Sequence, residues 1–425
     1  MNLKKNDNLG FWSSTSLVVG NMIGSGIFLL PASLALYGLV SILGWVFSSI
    51  GAILLAIVFG ELSKIYNKDP GGPYKFTRNV FGEFPAFLVA WGYWISIWST
   101  NTAIVVAFLG YLSVFIPSLN TSPLYSIIIG LFTIWTLTWI NSKEIKTIGS
   151  VQKITVVLKV IPIILVGIIG IFFIDLNNFY SLEIGNEFNF NSITVTTTLT
   201  FFAFLGMESA TIPSDKINKP NSIIKKATLY GTIFTIIIYI LSSISIMGII
   251  PPTTLAQSSA PFADAAEVIA GDYSRKVIAL GAIIATIGAL NGWILIQGQI
   301  PMAASKDKLF PKFFSKTNNN KSPVFGIILS SLLISILLLF SYSKTLVEAF
   351  TFMIKLSTLS VITPYLFSTA SLAVLSKRKF NRLFISFLAF IFSIWIIIGC
   401  GIETIKLGMI MLIAGIPFYF WFKRK

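Results

Sequence analysis

Histidine is absent from this 425-residue chain, and cysteine occurs once, at Cys400. The first absence excludes imidazole metal sites, Ser-His-Asp triads and histidine proton relays. The second excludes an intrachain disulfide. Charge is also scarce, at 11% of residues, against roughly 25% in soluble domains. There is no Cys/His metal spacing, no phosphate-cradling GxxxxGK run and no acid pair within an apolar stretch. No metal, cofactor or catalytic centre is therefore expected, and the chain does not read as an enzyme.

What fills the sequence is apolar. Hydrophobic residues make up 55% and mean hydropathy is +0.84. Apolar runs long enough to cross a hydrocarbon core of about 30 Å recur from end to end. This is the pattern of an all-α, polytopic integral membrane protein. The basic start, MNLKKNDN, leads straight into the first run with no small-residue cleavage site, which reads as an uncleaved first helix.

Twelve helices are expected, over 11–36, 40–65, 84–116, 123–141, 147–174, 192–214, 226–250, 274–304, 323–341, 346–375, 382–401 and 404–422. With both termini in the cytoplasm, the inner segments collect most of the 31 basic residues. These are Lys4, Lys5, Lys64, Lys68, Lys75, Arg78, Lys143, Lys146, Lys216, Lys219, Lys225 and Lys226, then Lys306, Lys308, Lys312, Lys316, Lys321, Lys377, Arg378, Lys379, Arg382, Lys423, Arg424 and Lys425. The outer loops hold Arg275, Lys276, Lys344 and Lys406. An odd number of spans would scramble this alternation. The net charge of +15 thus follows topology. No single basic face exists for nucleic acid.

Two of these helices are interrupted. "GNMIGSGIFLLP", Gly20 to Pro31, places three glycines within seven residues, and each costs a helix interior about 1 kcal/mol relative to alanine. "TLTFFAFLGMESATIP" carries Gly206, Glu208 and Pro213. Gly206 lies 180 residues after Gly26, and five spans precede the second break. An inverted five-helix repeat, 11–174 and 192–375, followed by two accessory helices over 382–422, is the pattern of secondary transporters. A helix broken at mid-membrane exposes backbone groups that are tolerable only where they line a cavity or bind something. Its half-helix N-terminus suits a carboxylate, and freed carbonyls suit an ammonium. The plainer reading, that Gly20 and Gly24 form a GxxxG packing face, does not account for the second break.

The stretches "GNMIGSGIFLLPASLA", "DPGGPYKFTRNVFG", "FLGMESA", "IMGIIPPTTLAQSSAPFADAA" and "NGWILIQGQ" together resemble the amino acid–polyamine–organocation superfamily, and within it the bacterial arginine–agmatine antiporters. The resemblance runs from about residue 10 to 420. It implies one transmembrane transporter domain over 1–425, working by alternating access in the bacterial inner membrane, often as a homodimer. Its partners would be amino acids and decarboxylated amines, with protons as a further candidate.

Carried over by position, the substrate carboxylate would meet backbone N–H groups near Ser25 and Gly26. The ammonium would meet carbonyls near Ile23, Phe202 and Leu205. Asn101, Trp293 and Ser357 would enclose the side chain, with Ser96 and Ile97 beside them. Tyr93, Glu208 and Tyr365 would form a proton-sensitive gate. Helical spacing agrees, since Tyr93, Ile97 and Asn101 recur every four residues, as do Ser357, Val361 and Tyr365. An acid within a span is a functional candidate on cost alone.

The pattern also breaks. Phe202 replaces a gate tryptophan, and two lysines, Lys159 and Lys355, stand where the antiporters have small uncharged residues. A lysine at the first position resembles proton-coupled carriers of broad specificity. That leaves an alternative, a proton-coupled transporter of neutral amino acids with Lys159 as proton site. Lys355 lies about 200° around its helix from Ser357. If it pointed into the pocket, it would oppose arginine.

Overall fold

The computed structural model describes residues 9–66, 71–143, 148–180, 189–212, 214, 217, 220–320, 322–376 and 379–423, with the backbone alone at Ser25, 148–158 and Tyr180. Lys4, Lys5, Lys68, Lys146, Lys216, Lys219, Lys321, Lys377, Arg378, Arg424, Lys425 and Pro213 lie outside the described residues. Among those described, every regular element is helical. The one β-type contact is an isolated bridge between Leu9 and Ile217.

The first interrupted run divides into α1 (Phe11–Met22) and α2 (Ser25–Leu34). Then follow α3 (Val40–Ile65), a short amphipathic α4 (Pro73–Phe81), α5 (Glu83–Leu112), α6 (Pro123–Lys143) and α7 (Ile148–Gly170). The second interrupted run gives α8 (Phe190–Phe202) and a 3-10 turn over Met207–Thr211. Beyond it lie α9 (Pro220–Ile249), α10 (Pro261–Ala270), α11 (Asp272–Lys306), α12 (Val324–Phe340), α13 (Leu346–Leu375), α14 (Phe380–Gly399) and α15 (Ile402–Lys423). By length and composition, nine of these elements suffice to cross a membrane, α1 and α2 counting as one. The other expected crossings fall on α7, α8 and α12. α7 is 23 residues long, with side chains described from Lys159 onward, Val324–Phe340 is a shorter apolar helix, and α8 stops after 13 residues at its break.

α5 forms the hub. Nearly every residue from Ala86 to Tyr111 is buried, and it packs along α13, α11 and α2. α3 packs on α9 and α8. Large apolar side chains on the outer helices, such as Phe132, Trp139, Phe172 and Phe387, are exposed, as lipid-facing surfaces require. Small residues set the closest crossings. A Cβ on Gly44 would lie 2.7 Å from the Thr196 backbone. The Thr200 hydroxyl, one turn along α8, donates to the Gly44 carbonyl at 2.9 Å.

Charges gather at helix ends. Asp307 accepts Lys75 at 2.8 Å, Arg78 at 3.6 Å and the Tyr74 hydroxyl at 2.9 Å, tying α4 to the end of α11. Burial, reinforced by the Asp307 carboxylate, pushes the Tyr74 hydroxyl well above its ordinary pKa, so it stays a donor. Glu61 pairs with Lys225 and Arg382, both at 2.5 Å, joining α3 to α9 and α14. Lys423 pairs with Glu83. The described cations assigned to the cytoplasmic side thus hold together helices distant in sequence.

Gly44→Val should cost about 1–3 kcal/mol through overpacking, seen as a lower melting temperature in detergent. Gly292→Ala, where an added Cβ meets nothing within 4 Å, should leave melting unchanged or raise it.

Candidate functional site

The two breaks touch. The Gly26 Cβ position lies 3.3 Å from both Ala203 Cα and the Phe202 ring, and that of Gly206 lies 3.1 Å from Asn21 Cβ. The segment before one break therefore meets the segment after the other. Gly206 has φ +97°, a left-handed conformation that favours glycine.

Each break leaves backbone groups to satisfy. Before Gly24, the Met22 carbonyl accepts the Gly24 N–H at 2.9 Å and the Tyr239 hydroxyl at 2.7 Å. Gly24 offers no side-chain cap to α2, so among the described residues the first N–H groups of α2, at Ser25 and Gly26, find no intrahelical or capping acceptor. At the second break the chain tightens. Ala203, Phe204 and Leu205 donate to Thr200, Phe201 and Phe202 carbonyls at 3.0–3.1 Å.

A cavity lies at this junction. It is lined by Asn21, Met22, Gly24 and Gly26, by Tyr93, Ser96, Ile97, Thr100 and Ile104 of α5, by Phe202, Leu205, Gly206 and Glu208, and by Trp293 and Val361. Its free volume is about 20 Å³, room for about one water. The site is closed around itself.

Glu208 closes one end. Its carboxylate, fully buried, accepts the Tyr93 hydroxyl at 2.7 Å on Oε1 and the Tyr365 hydroxyl at 2.8 Å on Oε2. This clasp joins α5, the 3-10 turn and α13, and Phe59 and Phe201 pack edge-on against Tyr365. Towards the other end, Phe202 packs edge-on against Phe350 at 6.2 Å.

Most of the expected residues meet here, but not all. Ile23 is buried without reaching the cavity, and the Ser25 side chain lies outside the described residues. Ser357 turns to α5, contacting Ser96 Oγ at 3.1 Å and Thr100 Oγ1 at 2.6 Å behind the lining. Asn101, expected on the cavity face, donates instead to Gln297 at 2.6 Å, and its own Oδ1 is buried without a partner. The physical reason is pitch. Eight residues beyond Tyr93 carry the chain about 80° past its face, whereas seven carry it to within about 20°. Thr100 therefore lines the cavity, and its signal was the 3.6-residue period rather than a spacing of four. Asn21, next to the last residue of α1, is the other polar lining residue that the sequence reading missed.

Neither intramembrane lysine enters the cavity. Lys159 is buried, its ammonium 3.5 Å from the Gly20 carbonyl, and so braces α7 against α1. Lys355 lies on a separate cleft.

A family model described as amino acid permease matches residues 9–420. The chain belongs to this family and is a multi-pass membrane protein. It is 31% identical to the putrescine transporter PotE of Haemophilus influenzae, over 98% of this chain and 97% of that protein. It is 30% identical to a putative arginine/ornithine antiporter of Bacillus subtilis, over 96% of each. It is also 30% identical to the arginine/agmatine antiporter of Chlamydia felis, over 98% of this chain and 90% of that one.

Gly206→Ala would force an L-residue into the left-handed region against Asn21, at about 1–3 kcal/mol. A lower melting temperature, with the protein still inserted, is the expected outcome.

Proposed function

We propose that this chain exchanges amino acids and amines across the bacterial cytoplasmic membrane by alternating access. One observation carries this reading most directly. Two broken helices meet head to flank around one small cavity, where the polar groups of Asn21, Ser96, Thr100 and Glu208 stand among apolar side chains, with the start of α2 beside it. That arrangement can hold a zwitterion by both ends, the carboxylate on the α2 N–H groups and the ammonium on carbonyls of the second break. The names of the relatives, two of the three above being antiporters, favour exchange over proton-coupled import.

The finer architecture belongs to the same proposal. Twelve crossings with both termini inside, and two inverted units of five, account for the way the breaks face each other. In that orientation Tyr93 lies ten residues from the cytoplasmic start of α5, and Tyr365 ten from the cytoplasmic end of α13. The Glu208 clasp is thus the inner gate and is shut. Phe202 with Phe350 is the thin outer gate, and Trp293 flanks the substrate side chain. Lys159 acts as a positioning brace behind the first break. A homodimer is part of the family expectation and plays no role in the site.

Counterflow in proteoliposomes tests this. Labelled arginine or ornithine should enter only when vesicles are preloaded with an amino acid or amine of the same panel. Uptake into empty vesicles driven by a pH gradient would overturn exchange. Gly26→Val, which pushes a branched side chain towards Phe202, should reduce calorimetric affinity at least tenfold while leaving insertion intact. Undiminished binding would show that the break is not the substrate site. Glu208→Gln keeps the clasp's shape but cannot change charge, so its pH–rate curve should be flat where the wild-type curve is not.

A further inference from the structure

Lys355 is a cation that this cycle leaves unused. It lines a cleft of about 1080 Å³ on the proposed outer side, bounded by α2 at Ser33, the segment around Gln257, and the turn holding Glu403. The side chain is half-buried, yet its ammonium has no ion pair or hydrogen bond among the described residues. An ammonium so placed is a charge-assisted donor without an anion. It lies nine residues, about 13 Å, inward from the start of α13.

The same stripe carries the opposite sign nearer the mouth. Glu348, Thr351 and Lys355 follow each other at spacings of three and four residues, so all face one way, and all three line the cleft. Glu348 is fixed there, its Oε2 accepting the Thr345 N–H at 2.9 Å in a capping box. Thr351 reaches across to Ser33 at 2.8 Å. Glu403 adds a second carboxylate from the facing turn. Glu348 and Lys355 are two helical turns, about 10 Å, apart along the axis.

We infer that this cleft is an antechamber for amino acids with a cationic side chain, in which Lys355 takes the carboxylate while Glu348 and Glu403 face the distal cation. A decarboxylated amine offers Lys355 only like charge. The cleft would therefore sort an amino acid from its amine at the outer face, before the central site is reached. This rests on the exchange function proposed above and assigns its outer-face selectivity.

The test compares ornithine with putrescine as outer substrates. Exchange is measured in intact cells of a transporter-deficient host expressing the full chain, and from the opposite face in inverted vesicles. In Lys355→Met, the outer KM for ornithine should rise about tenfold, as expected for loss of a charge-assisted hydrogen bond. The outer KM for putrescine should fall, and kcat should hold. Lys355→Arg should keep the wild-type ratio, and inner-face KM values should not move. Intact exchange with an unaltered ornithine-to-putrescine ratio in Lys355→Met would overturn the antechamber alone, as would equal changes from both faces. A wild type that exchanges no amino acid or amine of the panel would overturn the function and the antechamber with it, and one that exchanges others but neither ornithine nor putrescine would overturn the antechamber alone.

Discussion

Everything at the centre of this molecule follows from one constraint, that backbone N–H and C=O groups released inside a low-dielectric bundle must find partners. The chain interrupts two helices in its interior and then satisfies the released groups unevenly. The Met22 carbonyl is used twice, by Gly24 and Tyr239, and the Gly20 carbonyl receives the Lys159 ammonium. The N–H groups at the start of α2 receive no side-chain cap. The groups left uncapped among the described residues are thus donors, and Gly24 and Gly26 beside them border the cavity. An anion at that point completes the accounting that the protein leaves open.

The gate depends on the same breaks. Glu208 follows Gly206 by two residues, so the left-handed turn that ends α8 also aims the carboxylate at Tyr93 and Tyr365. Two phenolic hydroxyls meet one buried carboxyl group in a setting where each hydrogen bond is strong and would be costly to leave unmade. The partners stand on α5 and α13, so the clasp ties both helices to the second break through side chains.

Much of this was legible in the sequence. Glycine punctuates a helix, so the clusters at Gly20–Gly26 and at Gly206 marked both interruptions. An acid within an apolar run marked Glu208, and the family resemblance pointed to Tyr93 and Tyr365 beside it. What the sequence hid was rotational detail. A spacing of four residues drifts against a period of 3.6, so Asn101 and Ser357 point beside the cavity rather than into it, and Thr100 takes the exposed position. Packing between helices was equally hidden. Nothing in the local sequence announces that Gln297 would claim Asn101, or that Glu61 would gather Lys225 and Arg382 from helices over 150 positions away. Such pairings are properties of the tertiary arrangement and have no local signal.

The two lysines bear on a question of charge that the family resemblance raised, since neither lines the central cavity. A fixed ammonium about 6 Å from a guanidinium would cost roughly 3 kcal/mol at an effective dielectric of 20, enough to bar cationic substrates. Lys159 spends its charge behind the first break, on the Gly20 carbonyl. Lys355 faces the outer cleft, on the side of α13 turned from Ser357. Among the residues lining the central cavity, Glu208 is the one carboxylate, and no lysine or arginine joins it. No lining cation therefore opposes the cationic substrates proposed above. Trp293 offers an aromatic face where such a charge can stack.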